Sequence, residues 1–189
     1  MIVKTAAPSG RRPTTGHANP EVELGSASGP FRLVVDSPVG PLVLEGDEEW
    51  VTELFLPNTN MAAHGSSAGP LPSALSRAAD QLDEDFAGRR RTFELALRLV
   101  GTPFQVAVWR ALADIPYGQT ISYAELARWV DRPTAFRAVG QANGANPLPI
   151  FYPCHRVVAS GGGLGGYGGG LDVKAQLLAL EGWAVTEGT

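Results

Sequence analysis

The sequence predicts an α+β protein in which a small N-terminal domain with an antiparallel sheet precedes a mainly helical C-terminal domain. Between residues 31 and 56, three short runs alternate apolar and polar side chains, as half-buried strands do. After residue 103, apolar side chains instead recur at the spacing of helices. The break between the two patterns falls at Gly101-Thr102-Pro103, a sequence that favours a turn.

Composition limits the kind of protein. The 189 residues contain one cysteine and carry a formal net charge of -4, so neither an internal disulfide nor a multi-cysteine zinc site can form. No apolar run approaches the roughly 20 residues of a membrane span, and the N-terminus lacks the apolar core of a signal peptide. We expect a cytoplasmic protein without a metal site, with a disordered extension over residues 1–29 and domains over 30–100 and 101–185.

The N-terminal domain is expected to contain four strands, one helix and a long loop. In chain order these are strands from Phe31, Leu42 and Trp50, a loop over 57–72, a helix over 73–87 and a strand over 93–99. Ser73 stands where an N-cap of the helix is needed. His17 and His64 fall in polar segments, which favours solvent-exposed histidines over a site.

The C-terminal domain is predicted to contain four helices, over 104–115, 123–130, 135–143 and 171–181. Ser122 and Glu125 form a capping-box pattern at the start of the second helix. Thr134 is expected to cap the third. Because residues 131–133 form a tight turn between these two short helices, the pattern predicts a helix-turn-helix.

Charge is unevenly distributed along the chain. Residues 1–103 carry nine Lys/Arg against thirteen Asp/Glu, whereas residues 104–185 carry six against five. The helix-turn-helix therefore lies in the part better able to accept a polyanion. By pattern alone, however, an ordinary packed helix pair is commoner than a DNA-reading one.

The only cysteine, Cys154, is the most informative residue. A lone cysteine is more often a small buried apolar residue than a nucleophile. Here it stands between Pro153 and the pair His155-Arg156, and neighbouring cations or proton acceptors favour the nucleophilic thiolate. Adjacent residues of an extended chain point in opposite directions. His155 can therefore serve Cys154 only if the chain turns there or a water lies between them.

A glycine-rich segment follows the cysteine. Residues 160–170 contain eight glycines, which alone would indicate a flexible linker. No Gly-Lys-Ser/Thr follows and no strand-to-helix dinucleotide unit surrounds the segment, which disfavours a phosphate-binding loop. Tyr167 is unusual in a linker and is a candidate pocket residue. Glu181 closes the last helix before Gly182, where a carboxylate would ordinarily lie on the surface.

The run Pro153-Cys154-His155-Arg156-Val157-Val158 resembles the signature of the O6-alkylguanine-DNA alkyltransferases. Collinear matches extend the resemblance over residues 101–183: Phe104–Leu112, Gly118–Ala127, Arg137–Gly140, Asn146-Pro147, Gly166-Tyr167, Leu177-Leu178 and Glu181-Gly182. Residues 31–99 fit the family's variable N-terminal domain in outline. The resemblance implies a single-use protein that moves the alkyl group of O6-alkylguanine, and in some members O4-alkylthymine, from double-stranded DNA to its own cysteine. It also implies that no cofactor is needed, and a monomer that could cluster cooperatively on DNA.

The resemblance further implies roles for individual residues. Cys154 would accept the alkyl group, His155 would take the thiol proton through a water, Glu181 would orient His155, and Asn146 would fix the turn that carries the cysteine. Tyr167 would contact the departing guanine. The remaining pocket residues implied are Gly168, Pro149, Tyr152 and Val157.

Two pocket positions depart from the family's usual residues. The family often has an aliphatic residue where this chain has Tyr152, and a serine where it has Gly168. The range of alkyl groups accepted is therefore the least defined part of the expected function.

For DNA, the resemblance implies that the helix-turn-helix lies in the minor groove. Arg137 would hold the gap left by a flipped guanine, and Tyr123 would press on the backbone phosphate. Small side chains on the second helix would permit the close approach: Ala135, Ala138, Gly140 and Ala142. Base flipping is expected because the alkylated oxygen lies inside the duplex.

Three other functions fit parts of the sequence. A non-catalytic protein that only binds the lesion would not need Cys154, which this chain retains. A helix-turn-helix transcription regulator with a sensor cysteine would read the major groove, which the small side chains of the second helix disfavour. A cysteine hydrolase with a Cys-His pair would need an oxyanion hole, and nothing in the sequence marks one.

Overall fold

The structure is a computed structural model that describes residues 31–59, 67 and 69–183. The extension predicted over 1–29, together with His17 and His64, lies outside the described residues. The described chain divides into two compact units. One comprises residues up to Thr102 together with Pro147–Pro149, and the other comprises Pro103–Asn146 and the chain from Ile150 onward.

The N-terminal unit is built on a three-stranded antiparallel meander. Its strands, in sheet order, are β1 (Phe31–Val35), β2 (Leu42–Gly46) and β3 (Val51–Phe55). One helix, α1 (Ser73–Phe86), packs on the sheet through buried Leu75, Ala78 and Leu82. The unit also contains Pro147, whose carbonyl accepts a hydrogen bond from the backbone N–H of Leu54 at 2.8 Å. The antiparallel α+β architecture predicted for this part is confirmed.

The fourth strand predicted over 93–99 does not form. The segment is extended, but only Val51 and Leu97 make an isolated parallel bridge, where Val51 donates to Ala96 and accepts from Arg98. Leu97 and Leu99 are buried. The alternation in the sequence therefore reflects burial of every second side chain, without the hydrogen-bond ladder that defines a strand.

Two predicted helix caps are also wrong. Pro72 occupies the N-cap position of α1, so Ser73 is already the first helical residue and makes no capping bond. Thr134 caps nothing, because the preceding turn continues to Ala135, whose N–H donates to the carbonyl of Arg132 at 2.9 Å. Short polar residues mark the end of a turn, but they do not fix the residue at which the helix starts.

The C-terminal unit packs helices around a short parallel strand pair. Its elements are α2 (Pro103–Leu112), β4 (Ile121–Ser122), α3 (Tyr123–Trp129), α4 (Phe136–Gly144), β5 (Val157–Val158) and α5 (Leu171–Leu180). Strands β4 and β5 pair in parallel. Helices α3 and α4 pack together around buried Leu126, Ala127 and Val139, and Asp131, with a φ of 56°, turns the chain between them. They are the helix pair that the sequence predicts.

The capping box at the start of α3 is confirmed. The Ser122 hydroxyl accepts from the backbone N–H of Glu125 at 3.1 Å, and the Glu125 carboxylate accepts from the backbone N–H of Ser122 at 2.8 Å. Two N–H groups that the helix itself leaves unpaired are thereby satisfied. Tyr123, the first residue of α3, is consequently held at a fixed position.

None of the helices in the described part of the chain is long and apolar enough to cross a membrane. Within the same residues, no group of three His, Cys, Asp or Glu side chains is placed to hold a metal ion.

We expect Ser122→Ala to lower the free energy of unfolding by about 1 kcal/mol, because it removes the hydroxyl that caps α3. Urea denaturation followed by circular dichroism measures the change. Ser73→Ala is the matched control and should stay within about 0.5 kcal/mol of the parent, because Ser73 makes no capping bond. Equal losses in the two variants would contradict the assigned caps.

Candidate active site

Cys154 lies in a tight turn of the C-terminal unit. Residues Cys154–Arg156 form a single 3-10 turn directly before β5, with backbone hydrogen bonds from Cys154 to Tyr152 at 2.7 Å and from Arg156 to Pro153 at 3.0 Å. The side chains of Cys154 and His155 are both buried. Since the chain turns here, the two side chains are not forced to opposite sides as they would be in a strand.

The backbone that leads into this turn is strained and tightly held. Ile150 has a φ of 74°, a conformation that a β-branched residue rarely adopts. Asn146 donates through Nδ2 to the carbonyl of Tyr152 at 2.7 Å, and Asn143 donates to the carbonyl of Cys154 at 3.4 Å. Asn146 therefore lies where the sequence predicts it. Asn143 was missed, because nothing in its sequence context distinguishes it from a helix-surface amide.

Glu181 brings three parts of the unit together in a buried cluster. Its Oε1 lies 2.9 Å from His155 Nε2, and Arg156 reaches its two oxygens from Nε at 3.0 Å and from Nη2 at 2.8 Å. The backbone N–H of Gly118 donates to Oε2 at 3.0 Å. Only 7% of the Glu181 side chain is exposed, so this carboxylate does not lie on the surface, where one at the end of a helix ordinarily would.

The turn after α2 fits closely around the end of α5. Gly118 has a φ of +72°, and a Cβ there would lie 2.9 Å from the Glu181 carbonyl oxygen, so glycine is required. The Tyr117 hydroxyl donates to the carbonyl of Leu180 at 3.2 Å. Arg156 extends the same cluster by donating from Nη1 to the carbonyl of Ile115 at 2.6 Å. These contacts hold the turn after α2 and the end of α5 together, and so fix the position of the Glu181 carboxylate.

These contacts determine the protonation of the cluster. Burial would raise the pKa of Glu181, but the hydrogen bonds and charges of His155 and Arg156 outweigh it and lower that pKa to about 2. The ionised carboxylate can only accept, so His155 must carry a proton on Nε2. Burial lowers the pKa of His155 and Glu181 offsets only part of this, so the ring is neutral near pH 7. Its Nδ1 is then an acceptor, buried and without a hydrogen-bond partner among the described residues.

The thiol itself is protonated in the resting protein. Burial raises the pKa of Cys154 above its ordinary value, whereas the nearby Asn146 and Tyr167 and the charge of Lys174 act in the opposite direction. Burial raises the pKa of Tyr167 well above its ordinary range, and a charge on the Cys154 sulfur would raise it further. Tyr167 therefore remains a donor, and its hydroxyl interacts with the Cys154 sulfur.

Lys174 is a site residue that the sequence analysis missed. Its side chain is fully buried, and its ammonium donates to the carbonyls of Val157, at 2.6 Å, and Leu164. It lies 5.8 Å from the centre of the Tyr167 ring, and burial lowers its pKa to about 8. Lys174 thus ties the glycine-rich segment to β5. Its spacing of three and four residues from the apolar Leu177 and Leu178, on the buried face of α5, was the available signal.

Tyr123 joins the helix pair to the glycine-rich segment. Its hydroxyl donates to the carbonyl of Gly166 at 3.1 Å. At Gly165, whose φ is +70°, a Cβ would lie 3.0 Å from the Tyr123 ring, so this close approach requires glycine. Tyr123 therefore holds the glycine-rich segment in which Tyr167 lies.

The residues expected to face DNA differ in their exposure. Arg137 and Ala138 are exposed on α4, and Gly140 is half-buried beneath the Tyr123 ring. Ala135 precedes the helix as its N-cap. The prediction for Ala142 is wrong, because its side chain is buried and its carbonyl accepts from the Trp109 indole at 2.7 Å.

The remaining predicted pocket residues lie in different surroundings. Tyr152 is buried, and the charge of Arg110 on α2 acts on its hydroxyl. Val157 is buried in β5. Gly168 is exposed, and a Cβ there would make only an ordinary contact of 3.6 Å. Pro149 belongs to the N-terminal unit, and the parts of all four in a substrate pocket stay predictions.

Comparison with known proteins identifies both units. Residues 103–183 match the family model of the 6-O-methylguanine DNA methyltransferase DNA-binding domain, and residues 32–99 match that of its ribonuclease-like domain. Cys154 and Glu181 both lie within the first match.

Among curated proteins, the chain is 48% identical over 147 residues to a methylated-DNA–protein-cysteine methyltransferase of Mycobacterium tuberculosis, covering 78% of this chain and 89% of that protein. It is 45% identical to the constitutive methylated-DNA–protein-cysteine methyltransferase of Bacillus subtilis, covering 80% of this chain and 94% of that protein.

Among solved structures, the M. tuberculosis OGT in complex with DNA matches with a TM-score of 0.71 at 48% identity, covering 78% of this chain and 90% of that one. The O6-methylguanine-DNA methyltransferase of Pyrococcus kodakaraensis matches with a TM-score of 0.56 at 27% identity, covering 80% of this chain and 98% of that one. The chain therefore belongs to the 6-O-methylguanine DNA methyltransferase family.

Proposed function

We propose that this protein repairs DNA by transferring the alkyl group of an O6-alkylguanine to its own Cys154, once per molecule. The observation that carries the proposal is the buried Nδ1 of His155, which has no hydrogen-bond partner among the described residues, in the residue that directly follows the only cysteine. A base held in this way has an evident use where a protonated thiol must become a nucleophile. The family membership, and the activity for which the relatives are named, support the same conclusion.

The proposed reaction is a single displacement. The Cys154 thiol gives its proton to His155 Nδ1 through a water, and the sulfur forms a bond to the alkyl carbon. The bond between that carbon and guanine O6 breaks, and its electron pair stays with the guanine. Ionised Glu181 stabilises the imidazolium that forms. Tyr167, which burial keeps protonated, donates a hydrogen bond to the departing base in this reaction.

The product explains the single use. A thioether is chemically stable, and nothing in the proposed step restores the thiol. The alkyl group comes from the damaged DNA, so the reaction needs no cofactor. Lys174 and Asn146 act as positioning residues, because they hold the backbone on the two sides of Cys154.

Access to the lesion requires the guanine to leave the base stack. The alkylated oxygen lies inside the duplex, beyond a thiol that is itself buried. We propose that α4 lies in the minor groove, where exposed Arg137 fills the gap and Tyr123 bears on the phosphate. The exposure of Arg137 and of the small side chain Ala138 supports this arrangement.

Three narrower expectations belong to this proposal. The same displacement extends to O4-alkylthymine, whose alkyl group is also bonded to a ring oxygen. The protein acts as a monomer that can cluster along double-stranded DNA. It works in the cytoplasm, where a lone thiol stays reduced.

Incubation with a duplex containing O6-methylguanine should add the mass of one CH2 group to the protein, once per molecule. Intact-mass spectrometry measures the gain, and peptide mapping should place it on Cys154. Cys154→Ala, the control, should bind the duplex and gain nothing. Repeated turnover, or an adduct on another residue, would contradict the proposal.

Arg137→Ala should slow the reaction with duplex far more than the reaction with free O6-benzylguanine, because only the duplex requires a base to be unstacked. We expect a loss on the order of tenfold or more with duplex, from the few kcal/mol that unstacking costs. Single-turnover rates measure both. Arg77→Ala, an exposed arginine on α1, is the control. Equal losses with the two substrates would argue against base flipping.

Glu181→Gln should slow the reaction with free O6-benzylguanine by roughly 10²-fold, because it removes the charge that orients the base, His155, and a positioned base contributes at least that much. The pH profile adds a test of sign. In the parent, the rate should fall only below pH 6.5, because the pKa of His155 lies below its ordinary 6.5. Since the Glu181 charge raises that pKa, the substitution should move the acid limb to lower pH.

The control for this variant is Glu84→Gln, which removes a half-exposed carboxylate of the N-terminal unit and should leave rate and profile unchanged. An acid limb that moves to higher pH, or an unchanged rate in Glu181→Gln, would show that Glu181 does not govern the base.

A further inference from the structure

The first residue of α4, Phe136, exposes an aromatic ring that the fold does not use. Phe136 is 48% exposed, and it is the only aromatic residue among the exposed large apolar residues of the described chain. Leaving a phenyl ring in water forgoes the stabilisation that its burial would give. The ring is therefore a candidate contact for a partner.

The surroundings of Phe136 indicate which kind of partner fits. The guanidinium of Arg137 lies 5.9 Å from the centre of the Phe136 ring. Residues 128–144 contain three arginines, Arg128, Arg132 and Arg137, against one acidic residue, Asp131. All three arginines are exposed. An exposed apolar ring beside a guanidinium, in a segment with a net positive charge, matches a partner that offers both anionic groups and apolar surface.

A DNA duplex has this combination, with phosphates along the groove and stacked bases at its floor. Proteins that enter the minor groove often insert an apolar side chain between base steps and hold the unstacked geometry. Aromatic side chains also stack on bases of any sequence. The ring stands next to Arg137, the residue already proposed to fill the gap left by a flipped guanine.

We propose that Phe136 is a second wedge residue, which enters the minor groove beside Arg137 and packs on the base next to the flipped nucleotide. The inference rests on the proposed function and adds to it an apolar contact that stabilises the unstacked duplex. The contact between the ring and the Arg137 guanidinium places the two side chains at the same end of α4.

The test uses the full chain with a duplex that carries O6-methylguanine beside 2-aminopurine, whose fluorescence rises on unstacking. In a Cys154→Ala background, Phe136→Ala should weaken duplex binding on the order of tenfold, as loss of one stacked base does, and should reduce the fluorescence rise. Phe136→Leu, which keeps an apolar wedge, should lose less. Val100→Ala removes another exposed apolar side chain, outside the helix pair, and should change neither.

Rates with Cys154 present separate this inference from the proposed function. Phe136→Ala should slow the reaction with duplex far more than the reaction with free O6-benzylguanine. Unchanged duplex binding and fluorescence in Phe136→Ala would overturn the wedge, as would equal loss with both substrates, which would indicate a structural role. The wedge would also be overturned if Phe136→Ala weakened binding to phosphatidylserine vesicles but not to the duplex. Failure of the parent protein to form any adduct would instead contradict the proposed function.

Discussion

The buried carboxylate of Glu181 is the interaction on which the rest of the site depends. Taking a charge out of water is costly unless donors surround it, and this carboxylate receives Gly118 N–H, His155 Nε2–H and two nitrogens of Arg156. These donors come from the turn after α2 and from the cysteine turn, while Glu181 itself ends α5. A single ionised group therefore closes the C-terminal unit and fixes the tautomer of the histidine beside Cys154.

The site keeps the cysteine thiol unreactive at rest and holds a proton acceptor on the residue beside it. The thiol is buried and its pKa is raised, so the resting cysteine is protected from adventitious chemistry until a proton acceptor acts on it. In the proposed reaction, the acceptor is Nδ1 of His155, the ring nitrogen that does not face Glu181. The amide of Asn146 holds the turn, which begins after the strained backbone at Ile150. Lys174 holds the glycine-rich segment that contains Tyr167. The positions around Cys154 are thus set before any substrate arrives.

Local patterns in the sequence predicted much of this, and long-range contacts account for what it missed. The meander and the capping box of Ser122 and Glu125 depend on near neighbours, and both were read correctly. The strand over 93–99 failed because alternation reports burial, not pairing. The prediction that Ala142 faces DNA was wrong, because its position on the helix does not reveal that this face packs against Trp109. Lys174 was missed because lysine is ordinarily exposed, and its burial depends on two carbonyls distant in the sequence.

Burial keeps His155 neutral, and ionised Glu181 fixes its proton on Nε2, which leaves a free acceptor at Nδ1. Nitrogen-15 NMR of histidine-labelled protein near pH 7 tests this directly, because the two ring nitrogens of a neutral imidazole resonate far apart. The account predicts a protonated Nε2 and an unprotonated Nδ1 for His155, assigned by comparison with His155→Gln. An imidazolium at that pH, or a proton on Nδ1, would contradict it.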